Sequence, residues 1–74
     1  MVYYMWKRYK YVNFEVDDIM VLLLLVKCKI NYKVKFIEND IRVTIKLKGL
    51  ENKQKLLLNA IIIKEEIYCI SFIS

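Results

Sequence analysis

The 74-residue sequence contains no histidine, no proline and only one glycine. Without histidine the chain cannot form a Ser/His or Cys/His nucleophilic system. Gly49 alone cannot make a glycine-rich phosphate loop, and two cysteines without histidine cannot complete a zinc site. These absences predict a binding protein that has no enzymatic activity and no cofactor.

Residues that interrupt secondary structure are equally scarce: of glycine and proline, the two strongest breakers, the sequence contains only Gly49. We therefore expect a single domain over residues 1–74, without a linker. The longest apolar run, Ile19–Val26, is far shorter than the ~20 residues of a membrane span. At the N-terminus Lys7 and Arg8 follow the apolar residues, the reverse of the order in a secretory signal.

The two cysteines, Cys28 and Cys69, both lie in apolar runs. Two thiols do not make a disulfide framework in a chain of this kind. We expect both to be buried and reduced, which favours a reducing compartment such as the cytoplasm.

Apolar residues are in surplus. They make up 58% of the chain, against about 45–50% in ordinary domains. A chain this short hides only about 60–65% of its unfolded surface. Part of the apolar surface should therefore contact a partner, and we expect a homodimer. The residues predicted to lie outside a monomer's core are Leu24, Leu25, Leu58 and Ile62.

The net charge of +5 comes from 13 Lys and Arg against 8 Asp and Glu. Such a balance favours an acidic partner, whether nucleic acid or an acidic protein surface. Ile, Lys, Asn and Tyr make up 33 of the 74 residues, as in AT-rich coding DNA. Together with the short length, this usage suggests a phage, viral or mobile-element source.

The first third of the chain predicts a strand and a helix. Residues 2–16 are rich in Tyr, Val, Phe and Trp, which favours a strand with a bend at 7–10 and its better paired part at 11–16. Asp17 or Asp18 can cap a helix over residues 19–28. Residues at helical spacing would form its apolar face: Ile19, Leu22, Leu23 and Val26.

The middle of the chain predicts an antiparallel hairpin, because two apolar series alternate with polar residues on either side of Asn39-Asp40. A two-residue loop there would pair Phe36 with Val43. A four-residue loop would keep the same faces but oppose Lys35 to Arg42, an unfavourable like-charge pair. The two-residue loop is therefore the predicted register; it also pairs Val34 with Ile45 and Tyr32 with Leu47.

Residues 51–64 predict a second helix with an acid at its start and Lys64 near its end, and residues 66–73 a final strand. The order βαββαβ resembles the ferredoxin-like, split-βαβ arrangement. This α+β resemblance implies a four-stranded antiparallel sheet with two helices on one face. It carries little functional weight, because the arrangement serves unrelated functions.

If the helices cover the apolar side of the hairpin, the opposite side displays cations without an acid among them. We therefore predict a partner-binding face formed by Lys29, Lys33, Lys35, Arg42, Lys46 and Lys48. Tyr32 and Phe36 would point inward, so that only Tyr11 or the N-terminal aromatic residues could offer a ring for base stacking.

Three functions are compatible with these features. The first is a small inhibitor or adaptor that docks on a host protein or nucleoprotein complex, as in an anti-defence protein. The alternative is sequence-tolerant nucleic-acid binding by the same face. The third, metal-dependent nuclease activity, would use Glu15, Asp17 and Asp18, which are similar in position to the metal-binding Asp of some dimeric ferredoxin-like nucleases. Helix capping is the simpler role for these acids.

Overall fold

The computed structural model of the protein describes residues 8–74, so the predicted strand segment at 2–7 lies outside the described residues. The remaining elements occur in the predicted order βαββαβ. They are β1 (Tyr11–Val16), α1 (Met20–Lys27), β2 (Lys33–Ile37), β3 (Asp40–Lys46), α2 (Asn52–Lys64) and β4 (Ile70–Ile73).

The four strands form one sheet in the order β2-β3-β1-β4, and every neighbouring pair is antiparallel. Alternate residues of the two central strands are buried beneath the helices, because side chains in a strand point to opposite faces in turn. The buried set is Val12, Phe14, Val16, Ile41, Val43 and Ile45. The protein therefore has the predicted ferredoxin-like α+β fold, with both helices on one face of the sheet.

The hairpin between β2 and β3 has a two-residue loop, but it lies one residue earlier than predicted, at Glu38-Asn39. The predicted register is therefore wrong: Phe36 pairs with Ile41, and Lys35 lies opposite Arg42. Each predicted pair is shifted by two residues. A shift of two leaves every side chain on its predicted face, because the period of a strand is two.

A third strand explains why the like-charge pair is tolerated. Glu15 on β1 is the partner of Arg42 on the other side of β3. The Arg42 guanidinium donates a hydrogen bond to the Glu15 carboxylate at 3.0 Å, forming a salt bridge. Arg42 is thus neutralised from β1, which removes the repulsion that argued against this register.

The final strand is shorter than predicted and begins at Ile70 instead of residue 66. Ile67 is buried, but its backbone N–H donates to the carbonyl of Ile62 at the end of α2. Residues 65–69 therefore belong to the helix terminus and the connection that follows it. Further along, the Phe72 ring lies against that of Tyr9, with 5.0 Å between the ring centroids.

An acidic residue precedes each helix, as predicted. The Asp18 side chain accepts a hydrogen bond from the backbone N–H of Met20 at 2.9 Å. Glu51 and Gln54 form a capping box at the start of α2. The Gln54 amide also donates to the Lys29 carbonyl at 2.9 Å, which joins the start of α2 to the end of α1.

Both helices end in Schellman motifs. After α1, the N–H of Ile30 donates to the carbonyl of Leu25, and that of Lys29 donates to Val26. The same pair of bonds follows α2, from Ile67 to Ile62 and from Glu66 to Ile63. The motif requires a left-handed residue, and Lys29 (φ 58°) and Glu66 (φ 52°) occupy that position in place of the usual glycine.

Helix α1 buries a face that differs from the predicted one. On α1 the buried residues are Val21, Leu22 and Leu25. Of the face predicted for α1, only Leu22 is buried. The other three predicted residues are more than half exposed: Ile19 58%, Leu23 51% and Val26 58%.

The structure also corrects the residues predicted to lie outside the monomer's core. Leu25, Leu58 and Ile62 lie in the core of the monomer, and Leu24 is half-buried against it. Because core packing already uses the side chains of Leu25, Leu58 and Ile62, these three are not available to an interface. The surplus apolar surface lies elsewhere, on Ile19, Met20, Leu23, Val26, Val34, Phe36, Leu56 and Ile63.

The cysteines also differ from expectation. Cys28 is half-buried and Cys69 is exposed, and both are free thiols. Cys69 is exposed because it lies in the connection before β4 instead of inside a strand. No helix within residues 8–74 is long and apolar enough to cross a membrane.

Candidate polyanion-binding surface

The face of the sheet opposite the helices is polar and partly exposed. Cross-strand pairs link it: the Thr44 hydroxyl donates to the Asn13 side-chain carbonyl at 2.6 Å, one row away from the Glu15–Arg42 salt bridge. These bonds hold the two central strands in register on their solvent side. The lysines of β2 and β3 are exposed on the same face.

Four of the six predicted cations lie together on this face. Lys33 and Lys35 on β2 alternate with the apolar residues of that strand, and Arg42 and Lys46 do the same on β3. All four are exposed.

The other two predicted cations, Lys29 and Lys48, do not lie on the strands of this face. Lys29 lies in the left-handed position after α1, next to the start of α2. Lys48 follows the end of β3, in the turn that leads to Gly49. Strand β2 begins at Lys33 and strand β3 ends at Lys46, so Lys29 and Lys48 lie outside the paired strands.

The face is also less uniform in charge than predicted, since it carries acids. Glu15 neutralises Arg42, and Asp40 lies on the same side of β3 as Arg42, two residues away. Both acids lie toward the hairpin end of the sheet. The unopposed positive charge is therefore concentrated at the other end, around Lys33 and Lys46.

A groove of about 330 Å³ lies at that positive end. It is lined by two tyrosines, two lysines and two small polar residues: Tyr11, Asn31, Tyr32, Lys33, Thr44 and Lys46. We call it the tyrosine groove. Tyr11 faces Lys46 across the strands and is 37% exposed, as expected for an outward-facing ring. Tyr32 also lines the groove, but it is half-buried and packs against the core, in keeping with the prediction that it points inward.

Phe36 was likewise predicted to be covered. It lies on the helix side of the sheet opposite Ile41, yet it is 67% exposed, because no helix within residues 8–74 covers the edge strand β2. Its ring therefore lies on the opposite side of the sheet from the tyrosine groove.

A second groove, of about 450 Å³, adjoins this end of the sheet. Four cations and no acid line it: Arg8, Lys10, Lys48 and Lys55, together with Tyr9, Leu47 and Gly49. Lys10-Tyr11 and Lys46-Leu47-Lys48 connect the two grooves along the chain, since each segment contributes residues to both. We define the basic surface as the cations of the two grooves: Arg8, Lys10, Lys33, Lys46, Lys48 and Lys55.

Sequence reasoning missed Arg8, Lys10 and Lys55 because they lie outside the hairpin. They meet Lys48 because the start of β1, the end of β3 and the start of α2 lie at one end of the molecule. The sequence did contain one indication of this arrangement. If β1 and β3 form an antiparallel pair, the start of β1 lies beside the end of β3. Lys10 and Lys46 could therefore have been placed at the same end.

The opposite end of the molecule is acidic. One cavity of about 330 Å³ is lined by six carboxylates: Glu15, Asp17, Asp18, Asp40, Glu65 and Glu66. Within residues 8–74, no group of three or more His, Cys, Asp or Glu side chains has the geometry to hold a metal ion. Asp18 caps α1, and Glu15 pairs with Arg42. Positive and negative charge are thus separated along the length of the sheet.

Comparison of the chain with protein-family models, with curated proteins and with solved structures gives no match. The class of protein that the described residues define is a small α+β domain with one basic end and one acidic end.

Proposed function

We propose that the protein is a non-enzymatic binding protein that docks on an acidic partner, either a protein or a nucleoprotein complex, through the basic surface. The main observation in support of this proposal is that the two adjoining grooves at one end of the sheet are lined by six cations and no acid. Potentials of one sign in a concave surface raise the local concentration of ligands of the opposite sign.

Charge separation gives this docking an orientation. An acidic partner is attracted to the end bearing Lys33 and Lys46 and is repelled by the end bearing Glu65 and Glu66. A small domain that covers one site in one orientation can act as an inhibitor or an adaptor. In keeping with the residue usage, we propose that it comes from a phage, virus or mobile element and acts on a complex of the host.

Single-stranded nucleic acid is the second candidate partner, favoured by the tyrosine groove. The 37% exposed Tyr11 lines the groove together with Lys33 and Lys46, so that one aromatic ring and two ammonium groups share one concave surface. Proteins that bind single strands without sequence preference use this combination of stacking and backbone neutralisation.

The test compares charge reversals at equal net charge. The double variant Lys33→Glu/Lys46→Glu alters the basic surface, whereas Lys53→Glu/Lys64→Glu places the same charges on α2, across the sheet. Both sets of lysines are exposed or nearly so and lie outside the core. We expect the first variant to lose binding to an acidic polypeptide and to a single-stranded oligonucleotide, and the second to retain most of it.

Affinity purification from host extracts, with and without nuclease, then separates the two partners. A protein that is captured after nuclease treatment, and lost with Lys33→Glu/Lys46→Glu, supports the first candidate. Capture that depends on intact nucleic acid supports the second. Equal binding by both double variants would contradict the proposal that the basic surface is the docking site.

A further inference from the structure

One side of α1 is apolar and is covered by no residue within 8–74. Residues Ile19, Met20, Leu23 and Val26 are between 51% and 58% exposed, and at 100° per residue they fall on one side of the helix. We call these four residues the outer stripe. The opposite side of the same helix carries the buried Val21, Leu22 and Leu25. A helix that is apolar all round is normally enclosed on all sides.

The charges at the two ends of the outer stripe are opposite in sign. Asp17 and Asp18 precede its N-terminal end, and Lys27 and Lys29 stand at its C-terminal end. All four residues are exposed, and within residues 8–74 none forms a salt bridge. Such a surface is complementary to itself when two copies lie antiparallel, since the acidic end of each then faces the basic end of the other.

We propose that the occupant of the outer stripe is a second copy of this chain, packed with α1 antiparallel to α1 about a two-fold axis near Leu23. In this arrangement Asp17 of each copy lies toward Lys27 and Lys29 of the other, and the two helix dipoles oppose each other favourably. A two-fold interface uses the same patch twice, which this charge pattern permits.

Edge strand β2 adds apolar surface on the same side of the sheet. Val34 and Phe36 point to the helix side and are 37% and 67% exposed. A stable interface removes about 800 Å² from each partner, more than one helix of eight residues usually supplies. The exposed residues of β2 would extend the contact. Lys33 and Lys46 of the basic surface lie on the other face of the sheet, so the dimer would present them twice.

The first test is the oligomeric state of the full chain by sedimentation equilibrium over a wide range of concentration. We expect a monomer–dimer equilibrium, weakened more than about a hundredfold by Leu23→Glu, because two charges would be buried at the axis. The matched control is Ile73→Glu, since Ile73 is an exposed apolar residue on the opposite face of the sheet. A wild-type chain that stays monomeric, or a dimer that survives Leu23→Glu, would overturn the proposal.

Charge exchange tests the antiparallel orientation. Asp17→Lys and Lys27→Glu should each weaken the dimer several-fold, since each replaces two attractive pairs with repulsive ones. The double variant should recover most of the loss. If the two single variants and the double variant all dimerise with the affinity of the wild-type chain, the antiparallel arrangement is ruled out.

Cross-linking tests the position of the axis. In a Cys28→Ser/Cys69→Ser background, Leu23→Cys should oxidise to a disulfide-linked dimer, because each copy then meets its own residue 23 across the axis. Ile73→Cys in the same background should not. Absence of the cross-link from a dimeric protein would place the interface elsewhere and overturn the proposal. A monomeric Leu23→Glu protein should still bind acidic partners, so failure of this inference is distinct from failure of the proposed function.

Discussion

The Arg42 guanidinium lies 3.0 Å from the Glu15 carboxylate, and this cross-strand pair allows Lys35 to stand opposite Arg42 on the other side of β3. Three residues on three neighbouring strands thus form one row, with the acid at the side of β1. Glu15 therefore affects both the stability of the hairpin register and the charge of the sheet face.

Replacing Glu15 with Gln should have two opposite effects. The free energy of unfolding should fall by about 0.2–1 kcal/mol, because an exposed pair is lost and Lys35 and Arg42 repel each other. Affinity for an acidic polypeptide should rise, because the face loses a negative charge. Urea unfolding at low salt and at about 1 M salt, where the Debye length is about 3 Å, measures the first effect. A loss that is the same at both salt concentrations would contradict this explanation.

The tyrosine groove predicts a difference between the two candidate partners. Tyr11→Thr removes a ring while keeping a residue that favours strands, and should weaken single-stranded nucleic acid binding by about 1–3 kcal/mol. Binding of an acidic polypeptide should change little, since charge and not stacking drives it. Fluorescence anisotropy with both ligands measures the contrast.

Tyr11→Phe is the control for this experiment, because it retains the ring. Nucleic-acid affinity that is unchanged in Tyr11→Thr would remove the argument for stacking in the groove.

Within residues 8–74, three residues that are not glycine adopt left-handed backbone conformations: Lys29, Glu38 and Glu66. Side chains with a Cβ atom are disfavoured there by about 1–2 kcal/mol, whereas glycine is not. We expect Lys29→Gly, Glu38→Gly and Glu66→Gly each to raise the free energy of unfolding by about 0.5–1 kcal/mol, the net gain after the greater freedom of glycine in the unfolded chain.

Chemical denaturation of the three single variants checks this prediction. The control is Ala60→Gly, at an exposed interior position of α2, which should destabilise by about 1 kcal/mol. A fall in stability at all three left-handed positions would contradict the helix and turn geometry described for them.

The observed core predicts that alanine substitutions at two leucines of α2 differ in their effect on the free energy of unfolding. Leu58 is fully buried, whereas Leu56 is 50% exposed on the opposite side of the helix. Leu58→Ala should cost about 2–5 kcal/mol, a large part of the total stability of a domain this small. Leu56→Ala should cost less than about 1 kcal/mol.

The midpoints of thermal unfolding of these two variants, each compared with the wild-type protein, measure this difference in stability. Equal losses would mean that α2 does not present the described face to the sheet.

Much of the architecture could be read from the sequence because strand and helix periods are local properties. The alternation from residue 30 to 47 placed Ile41, Val43 and Ile45 on the buried face and Lys33, Arg42 and Lys46 on the other. These faces survive the error in register, since a shift of two residues preserves them. The acidic residues before each helix likewise indicated where α1 and α2 begin.

The sequence by itself determined the order of elements, the two faces of the hairpin and the lack of catalytic histidine, because each depends on residue type or on neighbours along the chain. Only the tertiary structure decided the register, through Glu15 on a third strand. It alone also chose the buried side of α1, where apolar residues on every side give no preference. The contact of Arg8, Lys10 and Lys55 with the groove that Lys48 also lines likewise depends on which ends of distant elements lie side by side. No local pattern records such contacts, because they join residues far apart in the chain.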